Sequence, residues 1–348
     1  MEGLLKEKEI RDLVENYADK VNEGRTIRQL IEDNEIPILK GCKIQEGKVS
    51  DSVFGKKLIT KQGIPIRLMF RSNRISTHDM NRGLIAFKDQ VLAENHNFML
   101  NLVKDILGSS QFEIPDLKPT STVIASENIK LFKIENVLRM FMAKSSTSTS
   151  LYQHYIKGKR NFCGHKIPDG LRANDKLPFI MDTPSTKAAN DISITPNYLF
   201  KNGICSKNDY NQIRNSSIMA FGVVTQFLKE KGLIMVDTKT EHGRNSKGEI
   251  VVADEVYTLD SSRFWRIDKR NNLELDEDGN PKSFSKEFAR GMVKDARAQM
   301  FTKEQANEIA IRYITGYQYL TGEKFIPDTR AREDRIIESV NLILDYLM

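Results

Sequence analysis

The sequence predicts an α+β chain, and three features carry that reading. Short apolar runs broken by Gly, Pro, Ser and Asn crowd residues 40–134. Helical periodicity gathers near both ends and in one long segment after residue 205. A strand–turn–strand pattern lies between that long helix and the last two. At 348 residues the chain can bury one large core or two smaller ones. The changes of pattern divide it into a helical extension over 1–40, a small β-rich part over 41–134 and a larger α/β part over 135–348 that includes the closing helices.

Residues 5–22 place Leu5, Ile10, Leu13, Val14, Tyr17 and Val21 on one helical side, with Gly24 beyond the end. KKLIT, IPIRLMF, STVIA and IKLFKI then read as strands, interrupted by a helix near Lys88–Leu107. The polar run KSSTSTS (144–150) cannot join a core. It reads as a flexible linker, or as a binding loop because strand-like ENVLR precedes it and apolar-aromatic LYQHY follows. Residues 156–205 are loop-rich, punctuated by Pro168, Pro178, Pro184 and Pro196. Ser206 with Asp209 caps a long helix whose apolar side holds Ile213, Phe221, Val224 and Leu228, and Gly232 closes it. A hairpin follows, LIMVDTK to EIVVADEVYTL, turning near Asn245 and Gly248. Thr302 and Gln305 form a capping box for a helix stopped by Gly322, and a last helix covers about 333–347.

Composition narrows the function. No apolar run approaches the roughly 20 residues of a membrane span, and the mixed-charge start is unlike a signal peptide, so a cytoplasmic address is expected. Cys42, Cys163 and Cys205 form no C-x-x-C pair and suggest neither a disulfide framework nor a zinc site. The five histidines form no ligand-like pair. The net charge of +6 admits nucleic acid as a partner, but bases and acids are interspersed, which suits small phosphorylated ligands equally well.

Three constellations could carry chemistry. Asp237, Lys239 and Glu241 alternate along one predicted strand and so share a face, and the returning strand brings Asp254 and Glu255. Two carboxylates about 4 Å apart repel by roughly 4 kcal/mol at an effective dielectric near 20, so such a cluster calls for positive charge. Lys239 supplies part of it, and Mg²⁺ shared with substrate phosphates would supply the rest. A solvated hairpin of alternating charge is the competing reading. Gly47-Lys48 in GKVSD offers close backbone approach and a point charge to a phosphate, although it is neither a Walker A loop nor a dinucleotide fingerprint. Arg139 and Arg263 are natural partners for carboxylate or phosphate, or else members of structural ion pairs.

Taken together the segments resemble the phosphoribosylaminoimidazole-succinocarboxamide synthase (SAICAR synthetase) family. The matching stretches are GKVSD (47–51), NRISTHD (73–79), RGLIAFKDQVL (82–92), STSTSLYQHY (146–155), FCGHKIPDGLRANDKLP (162–178), TPSTKA (183–188), VDTKTEHG (236–243), ADEVYTLDSSRFW (253–265) and SFSKEFAR (283–290). The resemblance implies a two-lobed fold, with a small antiparallel β lobe like the nucleotide lobe of kinases, a larger α/β lobe, and ATP in the cleft between. It implies an ATP- and Mg²⁺-dependent ligase of purine biosynthesis that joins L-aspartate to the carboxylate of carboxyaminoimidazole ribonucleotide through an acyl phosphate, and no nucleic-acid or membrane partner. A homo-oligomer is compatible with it.

Carried over by position, the resemblance assigns Gly47, Lys48 and Lys187 to ATP phosphates, and Glu241 and Asp254 to Mg²⁺ and the nucleotide. It assigns Arg139, Arg263, Ser262 and the hydroxyls of Ser146 to Ser148 to the ribonucleotide. Asp237 and Lys239 lie near the imidazole carboxylate. Ser76, Asp79 and Asp191 are placed near the substrates. Against the family's commoner pattern, Ser50 replaces a basic residue, Asn73 an aspartate and Asn190 a histidine. Ala86 and Asp89 stand where proline and glycine are usual, and Met140 and Lys144 lie where glycine often occurs. A different ATP-dependent phosphotransferase on the same scaffold and a non-enzymatic nucleotide or nucleic-acid binder remain alternatives.

Overall fold

Local chemistry starts most of the elements where the sequence expects them. In the computed structural model, which describes residues 3–77, 80–145, 147–187, 191–284, 286–293 and 300–348, α1 (Glu7–Asn22) and α2 (Ile27–Glu32) lead into the strands β1 (Lys43–Glu46), β2 (Ser50–Ile59), β3 (Pro65–Arg71), β4 (Arg74–Thr77) and β5 (Met80–Leu84). Then come α3 (Lys88–Leu107), β6 (Val123–Glu127), β7 (Lys130–Leu131), β8 (Ile134–Phe141), α4 (Leu151–Ile156), β9 (Asn161–Phe162), β10 (His165–Lys166), β11 (Lys176–Asp182) and β12 (Ser185–Thr186). The remainder is α5 (Pro196–Lys201), α6 (Lys207–Lys229), β13 (Leu233–Thr240), β14 (His242–Arg244), β15 (Ile250–Val252), β16 (Ser262–Arg266), α7 (Glu287–Gly291), α8 (Lys303–Thr321) and α9 (Arg332–Leu347). This is an α+β chain with antiparallel sheets.

Ser206 accepts the Asp209 N–H at 3.1 Å to start α6, and Thr302 with Gln305 makes the expected capping box of α8. Gly322 ends α8 in the left-handed conformation, φ 78°, which glycine adopts without a Cβ clash. Strand β11 escaped the sequence reading because Pro178 interrupts it. It pairs with β8 all the same, with a register shift between Lys176 and Met181.

The chain forms two compact units. The first comprises Met1–Phe98, Ser110–Ile129 and Lys286–Met348. Its four-stranded sheet, ordered β1-β2-β3-β6, is covered by apolar residues from the two ends of the chain. Ile27, Leu30 and Leu39 from the start, with Ile336, Val340 and Ile343 from α9, form one core with Val53, Leu68 and Phe70 of the sheet. Sequence order placed the closing helices with the larger part, but the structure places them in this unit. A four-stranded sheet with a bare apolar face needs a partner, and the linear pattern does not say which distant helix supplies it.

The second unit comprises Met99–Ser109 and Lys130–Ser285. Its five-stranded sheet runs β11-β8-β13-β16 with β12 also on β8. Helix α6 covers one face. There Ser217 Oγ meets Asn136 Nδ2 at 2.9 Å, and Tyr210 donates to buried Asp182 at 2.7 Å. The predicted hairpin is present, but it belongs to β14 and β15, while the longer β13 pairs with β8 and β16. The three cysteines are unpaired, and burial raises the Cys163 and Cys205 thiols to about 12 and about 11. No helix among the described residues is long and apolar enough to cross a membrane.

One buried carboxyl of the first unit sets a pH dependence. Glu94 lies beside Tyr317 and Glu323. Burial pushes its pKa from 4.5 to about 7, with the Tyr317 hydroxyl pulling the other way. Between those values the folded chain holds a proton that the unfolded chain has released. Stability therefore falls as pH rises through this window, by roughly 3 kcal/mol in all. Glu94→Gln should remove that slope and raise the melting temperature at about pH 8 while leaving it unchanged below about pH 4. A slope equal to the parent's would contradict the assignment.

Candidate active site

Strands β8 and β13 build a charged face of the second unit's sheet. Their register sets Asp237 against Arg139, Thr238 against Leu138, Lys239 against Val137 and Thr240 against Asn136. Side chains alternate across a sheet, so Asp237, Lys239 and Glu241 share a face with Arg139, Val137 and Glu135. Thr238, Thr240, Leu138 and Asn136 turn to the opposite face, under α6. Arg263 of β16 pairs with Asp237 and adds a second guanidinium to the charged side.

The face has two ends. At one, Asp237 is gripped by two arginines, Arg139 buried and Arg263 partly buried. Arg263 Nε donates to its Oδ1 at 2.8 Å and Nη2 donates to its Oδ2, while Arg139 Nη1 lies 3.3 Å from Oδ2. Each arginine also holds one end of the serine/threonine loop. Arg263 donates to the Lys144 carbonyl at 2.9 Å and Arg139 to the Thr149 carbonyl at 3.1 Å. Thr183 Oγ1 accepts from Arg139 Nε at 3.0 Å. The run from 144 to 150 is therefore held at Lys144 and Thr149 rather than being a free linker. Burial holds the Arg139 pKa below its ordinary value despite Asp237. Two guanidiniums against one carboxylate leave surplus positive charge on a nearly buried surface, a setting that favours a doubly charged phosphate.

At the other end, Lys239 donates to Glu135 at 2.8 Å and to Glu241 at 3.1 Å, and Lys187 also donates to Glu241. Ser185 donates to the second oxygen of Glu135 at 3.2 Å. Ala253 N–H donates to the Glu241 carbonyl at 3.1 Å, which brings half-buried Asp254 alongside. Burial opposes the charge of Lys239, but Glu241, Glu135 and Asp254 together outweigh it and hold the ammonium above the usual lysine range. The sequence predicted carboxylates in need of compensating charge, and here two lysines provide it. At about 3.3 Å per residue, Asp237 and Glu241 stand roughly 13 Å apart along β13, with Lys239 midway. Among the described residues no group of three or more His, Cys, Asp or Glu is arranged to hold a metal by itself.

The remaining predicted residues fall in several places. Ser262 is buried with its hydroxyl 2.8 Å from that of Thr238, so it faces α6 and not the arginines. It precedes Arg263 in a strand, and alternation turns it away. Ser148 is exposed on the anchored loop. Asp191 is half-buried, next to the residue whose N–H bonds Thr186 Oγ1 at 3.1 Å. Asp79 and Ser146 lie outside the described residues. Gly47, Lys48 and Ser76 belong to the first unit. A Cβ on Gly47 would sit 2.4 Å from the Ser50 carbonyl oxygen. The turn's own backbone thus demands the glycine. Lys48 is exposed beside it, and Arg74 ties the turn to Asp51 at 2.6 Å. Ser76 is buried in β4, paired with Asn81.

Sequence reasoning missed Glu135 and Thr183. Glu135 was legible, because ENVLR alternates and puts it on the face of Arg139. Thr183 reaches Arg139 only through the β11–β12 turn, which Pro178 and Pro184 disguise.

Comparison with known proteins places the chain among relatives of one family. A family model described as SAICAR synthetase matches residues 43–307. A chloroplastic phosphoribosylaminoimidazole-succinocarboxamide synthase of Arabidopsis thaliana is 34% identical over 293 residues, covering 80% of this chain and 69% of its own. The synthase of the same name from Legionella pneumophila (strain Paris) is 32% identical over 309 residues, 86% of this chain and 94% of its own. The SAICAR synthase of Saccharomyces cerevisiae, solved in complex with SAICAR, shares the fold with a TM-score of 0.68 at 23% identity, over 83% of this chain and 98% of that one. A type-2 SAICAR synthetase in complex with ADP superposes with a TM-score of 0.60 at 19% identity, over 82% and 100%.

Proposed function

This chain belongs to the SAICAR synthetase family, and from that premise we propose that it is the ATP-dependent ligase of purine biosynthesis that joins L-aspartate to carboxyaminoimidazole ribonucleotide. The observation that carries the reading is the two-ended charged face of β8 and β13. A surplus of largely buried guanidinium charge stands roughly 13 Å from a lysine-neutralised carboxylate pair. A phosphorylated acceptor bound by its phosphate at the arginine end would carry its imidazole along the face toward Lys239.

The chemistry needs those features. A carboxylate resists amine attack until its oxygen becomes part of a leaving group. The acceptor carboxylate oxygen attacks the γ-phosphorus of ATP, the bond to the bridging oxygen breaks, and ADP departs. The aspartate amine then attacks the carbonyl carbon, phosphate leaves with its electron pair, and the amine releases a proton. Phosphoryl transfer of this kind asks the protein for positioning and charge neutralisation. In our assignment Lys239 neutralises the acceptor carboxylate and Lys187 and Lys48 contact nucleotide phosphates. Arg139, Arg263 and the loop hydroxyls of Ser146 and Ser148 hold the ribonucleotide phosphate. Asp237 orients both arginines.

Glu241 and Asp254 offer hard carboxylate oxygens beside two ammonium groups, a donor set that suits magnesium when phosphate oxygens and water complete its shell. When bound there, magnesium would neutralise charge on the transferring phosphate. Gly47 is kept for its turn. Ser76, Asp79 and Asp191 are proposed to border the aspartate and acceptor sites.

The test is substrate dependence. Purified chain with the ribonucleotide, aspartate, magnesium and ATP should release ADP, and omission of any one of the four should stop it. ADP release that ignores aspartate, or a phosphorylated product without a new carbon–nitrogen bond, would refute the ligase.

A further inference from the structure

Helices α1, α2 and α9 lie outside residues 43–307, the span the family model matches, and the end of α8 extends past it. Two unusual residues of the first unit meet these helices. Asn73, which stands where the resemblance gives an aspartate, is buried. Its Oδ1 accepts the Asp89 N–H at 2.9 Å. Its Nδ2 donates to the Val21 carbonyl at 3.1 Å and to Asn22 Oδ1 at 2.8 Å, both at the end of α1. An amide can accept on one side and donate on the other, whereas an ionised carboxylate can only accept.

Asp89, which stands where glycine is usual, takes a 3.2 Å bond from Arg335 Nη2 of α9. Side-chain exposures are 0% and 5%, so this is a buried ion pair. The next residue repeats the theme. Gln90 Nε2 donates to the Asp328 carbonyl at 2.9 Å, and Asp328 N–H donates back to Gln90 Oε1 at 2.8 Å.

Three further contacts act on the same stretch. Phe87 holds a positive φ of 62°, a conformation costly for a side-chain-bearing residue, with its ring edge-on to Phe325 at 6.1 Å. Lys88, wholly buried, places Nζ 5.7 Å from the Tyr313 ring of α8. Glu94 faces Tyr317. Solvent-facing packing would not require substitutions at 73 and 89. A buried carboxylate is costly without a partner, and Arg335 supplies the ion pair while the Gln90 N–H donates to the other oxygen at 2.8 Å.

We infer that the terminal helices are a brace for residues 73–77 and 80–94. In this role Asn73, Asp89 and Arg335 are positioning residues that fix the shape of the segment carrying Ser76. The inference rests on the ligase reading for its kinetic consequence but not for its structural one.

The test uses the full chain with Arg335→Met, Asn73→Asp and the double variant Asp89→Gly/Arg335→Met, below their melting temperatures. Hydrogen exchange of amides in 74–87 should quicken at least tenfold in each, while amides of β8 and β13 keep the parent's rates. The double variant separates loss of the brace from a stranded charge, because it has no lone buried carboxylate. In the kinetic arm, KM for aspartate or for the acceptor should rise about tenfold, with KM for ATP and kcat within about twofold to threefold. Parent-like exchange over 74–87 in Arg335→Met and in the double variant overturns the brace, whatever the activity. Quickened exchange with unaltered KM values in an active enzyme overturns the positioning role. A parent chain without ligase activity would refute the ligase and leave the exchange result to decide the brace.

Discussion

Glu241→Gln should lower kcat by about a thousandfold, near 4 kcal/mol of transition-state stabilisation, in a chain that still folds. Glu241 is buried and receives two ammonium groups. An amide of the same shape keeps the packing and can still accept one hydrogen bond, but it no longer offers an anionic oxygen to a divalent cation. From the sequence alone the carboxylates appeared mutually repelling, so that neutralising one would relieve strain. The lysines change that expectation. With Lys187 and Lys239 in place Glu241 is already compensated, and the substitution should cost roughly 1 kcal/mol of stability rather than add to it. Steady-state kinetics with a thermal melt separates the two effects. Full activity, or a melt showing collapse, would each contradict the assignment.

Lys239→Met should have the second-largest effect, and a more unusual one. The side chain stands among Glu135, Glu241 and Asp254, whose charges overcome the burial cost of its ammonium. Replacing it leaves neighbouring carboxylates without their shared counter-charge. Breaking a fully buried pair costs about 3–5 kcal/mol. Lys239 retains about a third of its exposure, so solvent screening lowers the expected loss to about 2 kcal/mol. Turnover should fall at least a hundredfold, because an anionic acceptor would approach uncompensated carboxylates. Millimolar magnesium should restore part of the lost stability in Lys239→Met and do less for the parent, since a cation takes over the missing charge. Melting curves with and without magnesium check this. A variant as stable as the parent, or one that magnesium does not help, would show that Lys239 does not balance this cluster.

Much of this site was legible because strand alternation is a short-range rule. Asp237, Lys239 and Glu241 share a face from spacing alone, and the same rule applied to Glu135-Asn136-Val137-Leu138-Arg139 would have delivered Glu135. It also excludes Ser262 from the arginine side, since Ser262 and Arg263 are consecutive in one strand. What spacing could not give was partnership across the chain. That Arg139 and Arg263 grip one aspartate and the two ends of one loop depends on β8, β13 and β16 lying side by side. The helices were legible from their caps, as Ser206, Thr302 and Gly322 show. Their destinations were not, because an apolar stripe does not record which sheet it will cover. For α9 the structure supplies the answer, with Arg335 paired to buried Asp89, a partnership across the chain that spacing does not record.

We propose that the Glu241 end of the β8–β13 face receives nucleotide phosphates together with a divalent cation. Diffraction from crystals grown with ADP and manganese, recorded at the manganese edge, tests it most directly. We expect an anomalous peak in contact with Glu241 and Asp254, next to the nucleotide phosphates, and no such peak in Glu241→Gln. Manganese and nucleotide bound away from Glu241, with its carboxylate still held by Lys187 and Lys239, would contradict it.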